Sequence, residues 1–182
     1  MSDLGALLEA YPVRLEPLAD HHTEPLRAAC AEDRDIWEIY PVNMLDDGFD
    51  LSMGRFHQLT SWVRFAVIDL AQDRLVGMTN YIDPVAWPDG GGAVEIGGTF
   101  IVPSVRASGF NRIMKKLMIE HAFANGFTRI QFNIDTRNKR SMAAVAKLGA
   151  TLEGTLRRNR KTWNGYVRDT AQFGLLEDEW AG

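Results

Sequence analysis

Cysteine is almost missing from this chain of 182 residues: Cys30 stands alone, so no internal disulfide can form and no metal cluster built on cysteine pairs is possible. A single Cys in a helical stretch reads as a small buried hydrophobe. Long apolar runs are missing too. None reaches the ~20 residues that span a bilayer, and the opening MSDLGALLEA lacks the charge pattern of a signal peptide. A cytoplasmic protein without a membrane partner is expected. The four histidines, His21, His22, His57 and His121, show no metal-ligand spacing with one another or with acids, so no metal is expected. There is no excess of positive charge. A net charge of −4 argues against direct nucleic-acid binding. Repeats, low-complexity tracts and linkers are also lacking, which leaves residues 1–182 as one domain with a core of ordinary size.

The 46% hydrophobic and 24% charged composition is that of a globular protein. Its charge is unevenly distributed. Residues 102–168 hold 14 Lys or Arg against three acids, a net +11, while the remainder carries six bases against 21 acids, a net −15. Either one face serves an anionic ligand and another something cationic, or the charges cluster in sequence without clustering in space.

Periodicity gives the element order. Residues 11–18 read as a strand, followed by a helix capped by Asp20 or Thr23 and running through Cys30. Residues 33–62 read as helical pieces broken by Pro41 and Gly48. WVRFAVIDL (62–70) and RLVGMTNYI (74–82) alternate as a β-hairpin. DPVAWPDGGG (83–92) reads as a loop, a candidate lid or substrate rim with Trp87 at its centre. AVEIGGTFIV (93–102) resumes β character, and Gly97–Gly98 predicts a bulge or a bare stretch of backbone. The stripe Phe110, Ile113, Met114, Leu117, Met118, Ile119 predicts a helix over 109–124, stopped by Asn125–Gly126. TRIQFNI (128–134) alternates as a strand, 138–148 reads as a helix, and Asn164–Gly165 marks a hairpin in the tail. Helices and strands alternate in the second half, so part of the sheet should be parallel.

VRASGFNRIMKK (105–116) places small residues and positive charge at a helix mouth. It is an ordinary helix start or a cradle for a phosphate-bearing ligand. VRASGFN resembles the acyl-CoA loop of the GNAT superfamily of N-acetyltransferases, Gln/Arg-x-x-Gly-x-Gly/Ala, with Arg106 first, Gly109 fourth, and Asn111 where a final Gly is usual. NKRSMAAVAKLGA (138–150) is similar to that family's second helix, and VEIGGTFIVP to its cofactor strand. VRLEPLADHHTEPL near the start and VRDTAQFGLLEDEW at the end resemble the ribosomal-protein N-acetyltransferase-like (RimJ/RimL-type) branch. The resemblance covers nearly the whole chain.

It implies an α/β (α+β) fold of GNAT type. The central mixed, mostly antiparallel, twisted sheet would have six to seven strands, be flanked by helices, and splay between the strands at 93–102 and 128–134. It implies acetyl-CoA, or coenzyme A, as co-substrate. The pyrophosphate would meet backbone N–H groups of Ala107, Ser108, Gly109, Phe110 and Asn111, with Arg106 adding charge-assisted bonds. Phe100, Ile101 and Val102 would face the gap that takes the pantetheine arm, and Asn138 and Ser141 would meet the cofactor from the second helix. Glu95 is the candidate base for the amine. The phenol that many members use as an acid is replaced by Val145, which leaves Ser141 as the candidate acid or sulfur ligand. The aromatics Tyr40, Trp62, Tyr81, Trp87 and Trp163 are candidates for an acceptor rim, and His57 for its side. The expected acceptor is an amine, on a protein N-terminus or a small molecule. The acidic remainder hints at a cationic one, and a homodimer through the late hairpin is possible. The alternatives are a CoA-binding module with little or no catalysis, or transfer of a larger acyl group into space left by Gly97 and Gly98.

Overall fold

A computed structural model describes residues 3–182. The order is β1 (Leu8–Ala10), β2 (Val13–Pro17), a 3-10 turn into α1 (Thr23–Ala31), a second 3-10 turn (Asp35–Ile39), and α2 (Asp47–Gln58). Then come β3 (Val63–Asp69), β4 (Arg74–Ala86), β5 (Gly92–Ile101), α3 (Phe110–Ala124), β6 (Arg129–Asp135), α4 (Lys139–Ala146), β7 (Thr151–Lys161) and β8 (Val167–Leu176). The strands form one sheet in the order β1-β2-β3-β4-β5-β6-β8-β7. Every pairing is antiparallel except β5 with β6, where α3 makes the long crossover that a parallel pair requires.

The sheet has eight strands where six to seven were expected. The addition is β1, whose three residues are too few to show alternation. The loop expected over 83–92 is shorter as well. β4 runs to Ala86 and β5 begins at Gly92. Pro84 is tolerated inside the strand because the ladder bulges between Ile82 and Val85, with Asp83 at φ 46°. Gly48 does not break a helix; it lies in the first turn of α2. The loop at 87–91 turns Trp87 toward Thr128 and Leu176, into a small surface cavity of its own, and does not cover the main cavity.

β4 is buried without interruption from Leu75 to Ile82, as a strand covered on both faces must be. Thr79 and Tyr81 bond to the Met118 sulfur and carbonyl of α3, while α1 packs on the opposite face. The spacing of α3 explains its seat: Met114, Met118, Ile119 and Ala122 are fully buried at i, i+4, i+5 and i+8.

One irregularity positions everything that follows. β5 and β6 pair only where Ala93–Glu95 face Arg129–Gln131. Beyond Glu95 the strands part, as the expected splay requires. No helix among the described residues is long and apolar enough to cross a membrane.

Candidate active site

The splay opens a cavity of about 510 Å³ between β5, β6, the 106–111 turn and α4. That is the size of a small-molecule site. Four local features shape it.

The first is a bulge on β5. Met78 faces Phe100 but Asn80 faces Gly97, so β5 carries one extra residue at Gly97–Gly98. Gly98 adopts φ +56°, and Asn80 donates its amide N–H to the carbonyls of Gly97 (3.1 Å) and Gly98 (3.3 Å). The side chain of β4 thus takes over bonds that the ladder lost.

The second is the turn into α3. Ala107 (φ 60°) and Gly109 (φ 88°) both lie in the left-handed region, which points successive N–H groups to one side as an anion-binding nest. Among the described residues no acceptor meets the N–H of Ala107, Ser108, Gly109 or Asn111. They head a helix of 15 residues, whose dipole adds positive potential there.

The third is Glu95. Its side chain folds across Gly97 and accepts a 2.6 Å bond from Asn133 Nδ2 on β6. Burial raises its pKa above the ordinary carboxylate value, and Asn133, Arg160 and Arg168 only partly offset that. Asn133 Oδ1 is the one buried side-chain polar atom without a partner among the described residues.

The fourth is Lys115, 5% exposed, whose Nζ donates to Thr99 Oγ1 at 2.6 Å. Burial pulls its pKa down to about 7, against the opposite pull of Glu95. Thr99 is held from two other sides: by Thr79 Oγ1 at 2.7 Å, and at its carbonyl by the hydroxyl of Tyr40. Burial pushes that phenol up to about 12.

The residues expected to hold coenzyme A fall in different places. Arg106, Ala107, Gly109, Asn111, Asn138 and Ser141 line the cavity, with Val145 beside them. Ile101 lines it too, whereas the Phe100 and Val102 side chains are buried in the core, Phe100 stacking 4.8 Å from the Trp37 ring. Ser108 and Phe110 serve the turn itself: Ser108 Oγ donates to the Val105 carbonyl and accepts from Phe110 N–H, whose ring is buried. Arg106 is already engaged, by Asp33 and by the Ile101 carbonyl at 2.9 Å, so it braces the turn. Asn138 caps α4 by accepting from Ser141 N–H at 3.0 Å.

Of the five aromatics, Tyr40 and Trp62 line the cavity. Tyr81 is core, Trp87 lies elsewhere, and Trp163 donates to the Trp37 carbonyl at 2.7 Å. His57 is exposed and lines no part of it.

Seven of the 14 bases in 102–168 line the cavity, so that half of the charge split is spatial. The other half is not: of the 21 acids in the remainder only Glu95 does. Lys115, Arg168 and Asn133 were missed as site residues. Only Lys115 left a signal, a charge on the buried stripe three and four residues before Met118 and Ile119. Glu16, His21 and His22 cluster closely enough to suggest a cation site. However, Ala19 N–H donates to His22 Nδ1 at 3.1 Å, which puts the proton of the neutral ring on Nε2, facing Glu16 at 3.3 Å. The nitrogen a cation would need is therefore a donor.

A parallel pair that splays beside a bulged strand, with a turn of free N–H groups at the next helix, is the arrangement of a GNAT-type fold. The family comparison agrees: residues 13–151 match the acetyltransferase (GNAT) domain, and the chain belongs to that family. A probable acetyltransferase of the GNAT family from Chromobacterium violaceum is 26% identical, with a TM-score of 0.89 over 100% of this chain and 91% of that one. RimJ from Mycobacterium smegmatis, solved with CoA-disulfide, shares the fold at 17% identity (TM-score 0.80; 97% and 88% covered). Spermidine N-acetyltransferase from Vibrio cholerae, solved with CoA and spermine, does so at 18% (TM-score 0.73; 95% and 100%). Comparison with curated proteins gave no significant match.

Proposed function

We propose that this protein moves the acetyl group of acetyl-CoA onto a primary amine by direct attack in a ternary complex. The acceptor would be a peptide or protein N-terminus or a small-molecule amine. One observation carries this reading: the β5–β6 splay, the Gly97–Gly98 bulge and the 106–111 nest open into a single cavity. The nest would take the pyrophosphate, and the arm would run along β5 to the bulge. The terminal motifs quoted above support the RimJ/RimL-type branch.

The roles follow from the chemistry of each group. The amine nitrogen attacks the thioester carbonyl, and the N–C bond forms as the carbonyl electron pair moves to oxygen. A backbone N–H within Gly97–Ile101 would stabilise that oxyanion. Glu95, with its raised pKa, takes the proton from nitrogen, and Asn133 orients its carboxylate. When the C–S bond breaks, the electron pair leaves on sulfur and the thiolate needs a proton. Val145 cannot supply it and the Ser141 hydroxyl is a poor acid. Lys115 lines the cavity as an ammonium that titrates near neutrality, and we assign it this step.

Two features bear on the alternatives. The space beside the glycines is filled: a Cβ on Gly97 would lie 2.7 Å from Glu95 Oε1, and one on Gly98 2.5 Å from Asn80 Nδ2. This favours acetyl over larger acyl groups. The edge strand β7 is exposed throughout, with Leu152 and Leu156 about half exposed, and is where a second copy would dock. Thiol release from acetyl-CoA across an amine panel, together with calorimetry of CoA binding, tests the proposal. Turnover supports it; tight CoA binding with no turnover on any amine would leave only a binding module.

A further inference from the structure

The wall of the cavity beyond Glu95 holds a cation that the transfer chemistry leaves unused. Arg168, on β8, is 4% exposed, yet no carboxylate among the described residues pairs with it. Its Nε donates to Thr170 Oγ1 at 3.1 Å, and the residue lines the cavity. The nearby acid Asp135 is already engaged by Arg137, which meets it with Nε (3.0 Å), Nη2 (2.7 Å) and its backbone N–H (2.9 Å).

A second guanidinium is brought to the same place by a deliberate irregularity. On β7 the four steps from Leu156 to Arg160 match only the two from Thr170 to Arg168. The bulge, fixed by Arg158 N–H on Asp169 at 2.7 Å, sets Arg160 directly opposite Arg168, and Arg160 lines the cavity with no ion pair among the described residues. The hairpin carrying both is pinned: Arg137 stacks 3.8 Å over the Tyr166 ring, and Trp163 holds the Trp37 carbonyl.

Two like charges side by side, one of them desolvated, are unfavourable in the absence of an anion. The phosphate nest belongs to a different part of the cavity wall, the turn into α3, whereas this pair stands on the β7–β8 hairpin. Beside them Asn133 Oδ1 lacks a donor. Donor-poor and cation-rich groups therefore meet at the acceptor end, next to Glu95.

We infer that the acceptor amine carries a carboxylate, gripped by Arg168 and Arg160 while the amine N–H meets Asn133 Oδ1 and Glu95. This rests on the transfer reading above and names its substrate class. A polyamine would meet the wrong sign of charge.

Matched acceptors test it: amino acids against their carboxamides, tetrapeptides beginning with Glu or Asp against Gln or Asn, and spermine. Thiol release gives kcat/KM, and calorimetry on the CoA-loaded protein gives binding without turnover. Carboxylate acceptors should win by about 10- to 100-fold, and the two series tell a free amino acid from a peptide side chain. Arg168→Gln should erase the preference, leave CoA affinity unchanged and raise the thermal midpoint, where a merely structural arginine would lower it. Turnover indifferent to the carboxylate, preference for spermine, or an unchanged ranking in Arg168→Gln would each overturn the inference. Carboxylate-selective binding with no thiol release from any amine would instead sink the transfer reading and leave the anion site standing.

Discussion

The carboxylate of Glu95 occupies the space that a side chain on Gly97 would fill: a Cβ there would lie 2.7 Å from Glu95 Oε1 and 2.9 Å from Ile82 Cδ1. Gly97 has no left-handed backbone to maintain; only its neighbour Gly98 does. Its value is therefore the room it leaves for the base. Gly97→Ala should push the Glu95 carboxylate off Asn133 and lower kcat by about tenfold or more, the cost of a misplaced proton acceptor. CoA affinity by calorimetry should stay within about twofold, since the N–H groups of the phosphate turn, at 107–111, make no contact with Gly97. An unchanged kcat would mean that the carboxylate does no proton transfer.

The titration of Glu95 offers a separate check. Burial holds its pKa above the ordinary value of 4.5, so the acid limb of the kcat/KM profile should fall above that value. Glu95→Gln should remove the limb along with most of the activity. A profile with the same limb in the variant would assign the titration to another group.

The phosphate turn makes a sharper prediction. Gly109 sits at φ +88° with nothing among the described residues within 4 Å of its Cβ position, so the protein side has room and the constraint is backbone conformation. A β-branched residue resists that conformation and would also stand in the nest. Gly109→Val should weaken CoA binding by about 10- to 100-fold in calorimetry. Gly109→Asn, which tolerates left-handed φ, separates the causes. It should retain the thermal midpoint of the parent while still binding CoA more weakly. Full affinity in both variants would contradict a cradle at this turn.

How much of this was legible beforehand depended on whether a feature was local. Helix α3 announced itself through Met114, Met118 and Ile119, and the bulge through two adjacent glycines, because each is written within one element. The β7–β8 hairpin followed from Asn164–Gly165, a turn chemistry with few other uses. The acceptor wall was not legible. Arg168 becomes special only because Arg137, two elements away from Glu95, has claimed Asp135, and because β7 gains two residues opposite it. The partner of Arg106 was hidden for the same reason: its motif position suggested phosphate, and the guanidinium also meets Asp33, 73 residues earlier.

Lys115 links stability to pH. Its folded pKa of about 7 lies below the ordinary lysine value of 10.5, so between those values the folded state holds fewer protons than the unfolded chain. Stability should rise with pH through that window, and the full penalty of the buried ammonium persists below about 7. Lys115→Met should stabilise the protein most near pH 6, with the gain shrinking as pH approaches 10.5, as urea unfolding at pH 6 and 9 would show. Activity should move the other way, with kcat falling by about 10²-fold if the ammonium protonates the thiolate. A variant both less stable at pH 6 and fully active would refute both roles.

The Asp33–Arg106 pair decides what the first residue of the phosphate turn is for. Both side chains are more than four-fifths buried, and Arg106 also holds the Ile101 carbonyl, so the pair ties the segment before the second 3-10 turn to the end of β5. If Arg106 binds phosphate directly, Arg106→Gln should weaken CoA and Asp33→Asn should not, because the freed guanidinium would turn to the ligand. If it braces the turn, each substitution should lower the thermal midpoint and weaken CoA, and the double variant should be no worse than the poorer single one. The geometry favours the second outcome, with a coupling energy of about 1–3 kcal/mol in a double-mutant cycle. Additive effects on stability, with CoA affinity lost only in Arg106→Gln, would restore the arginine to the phosphate.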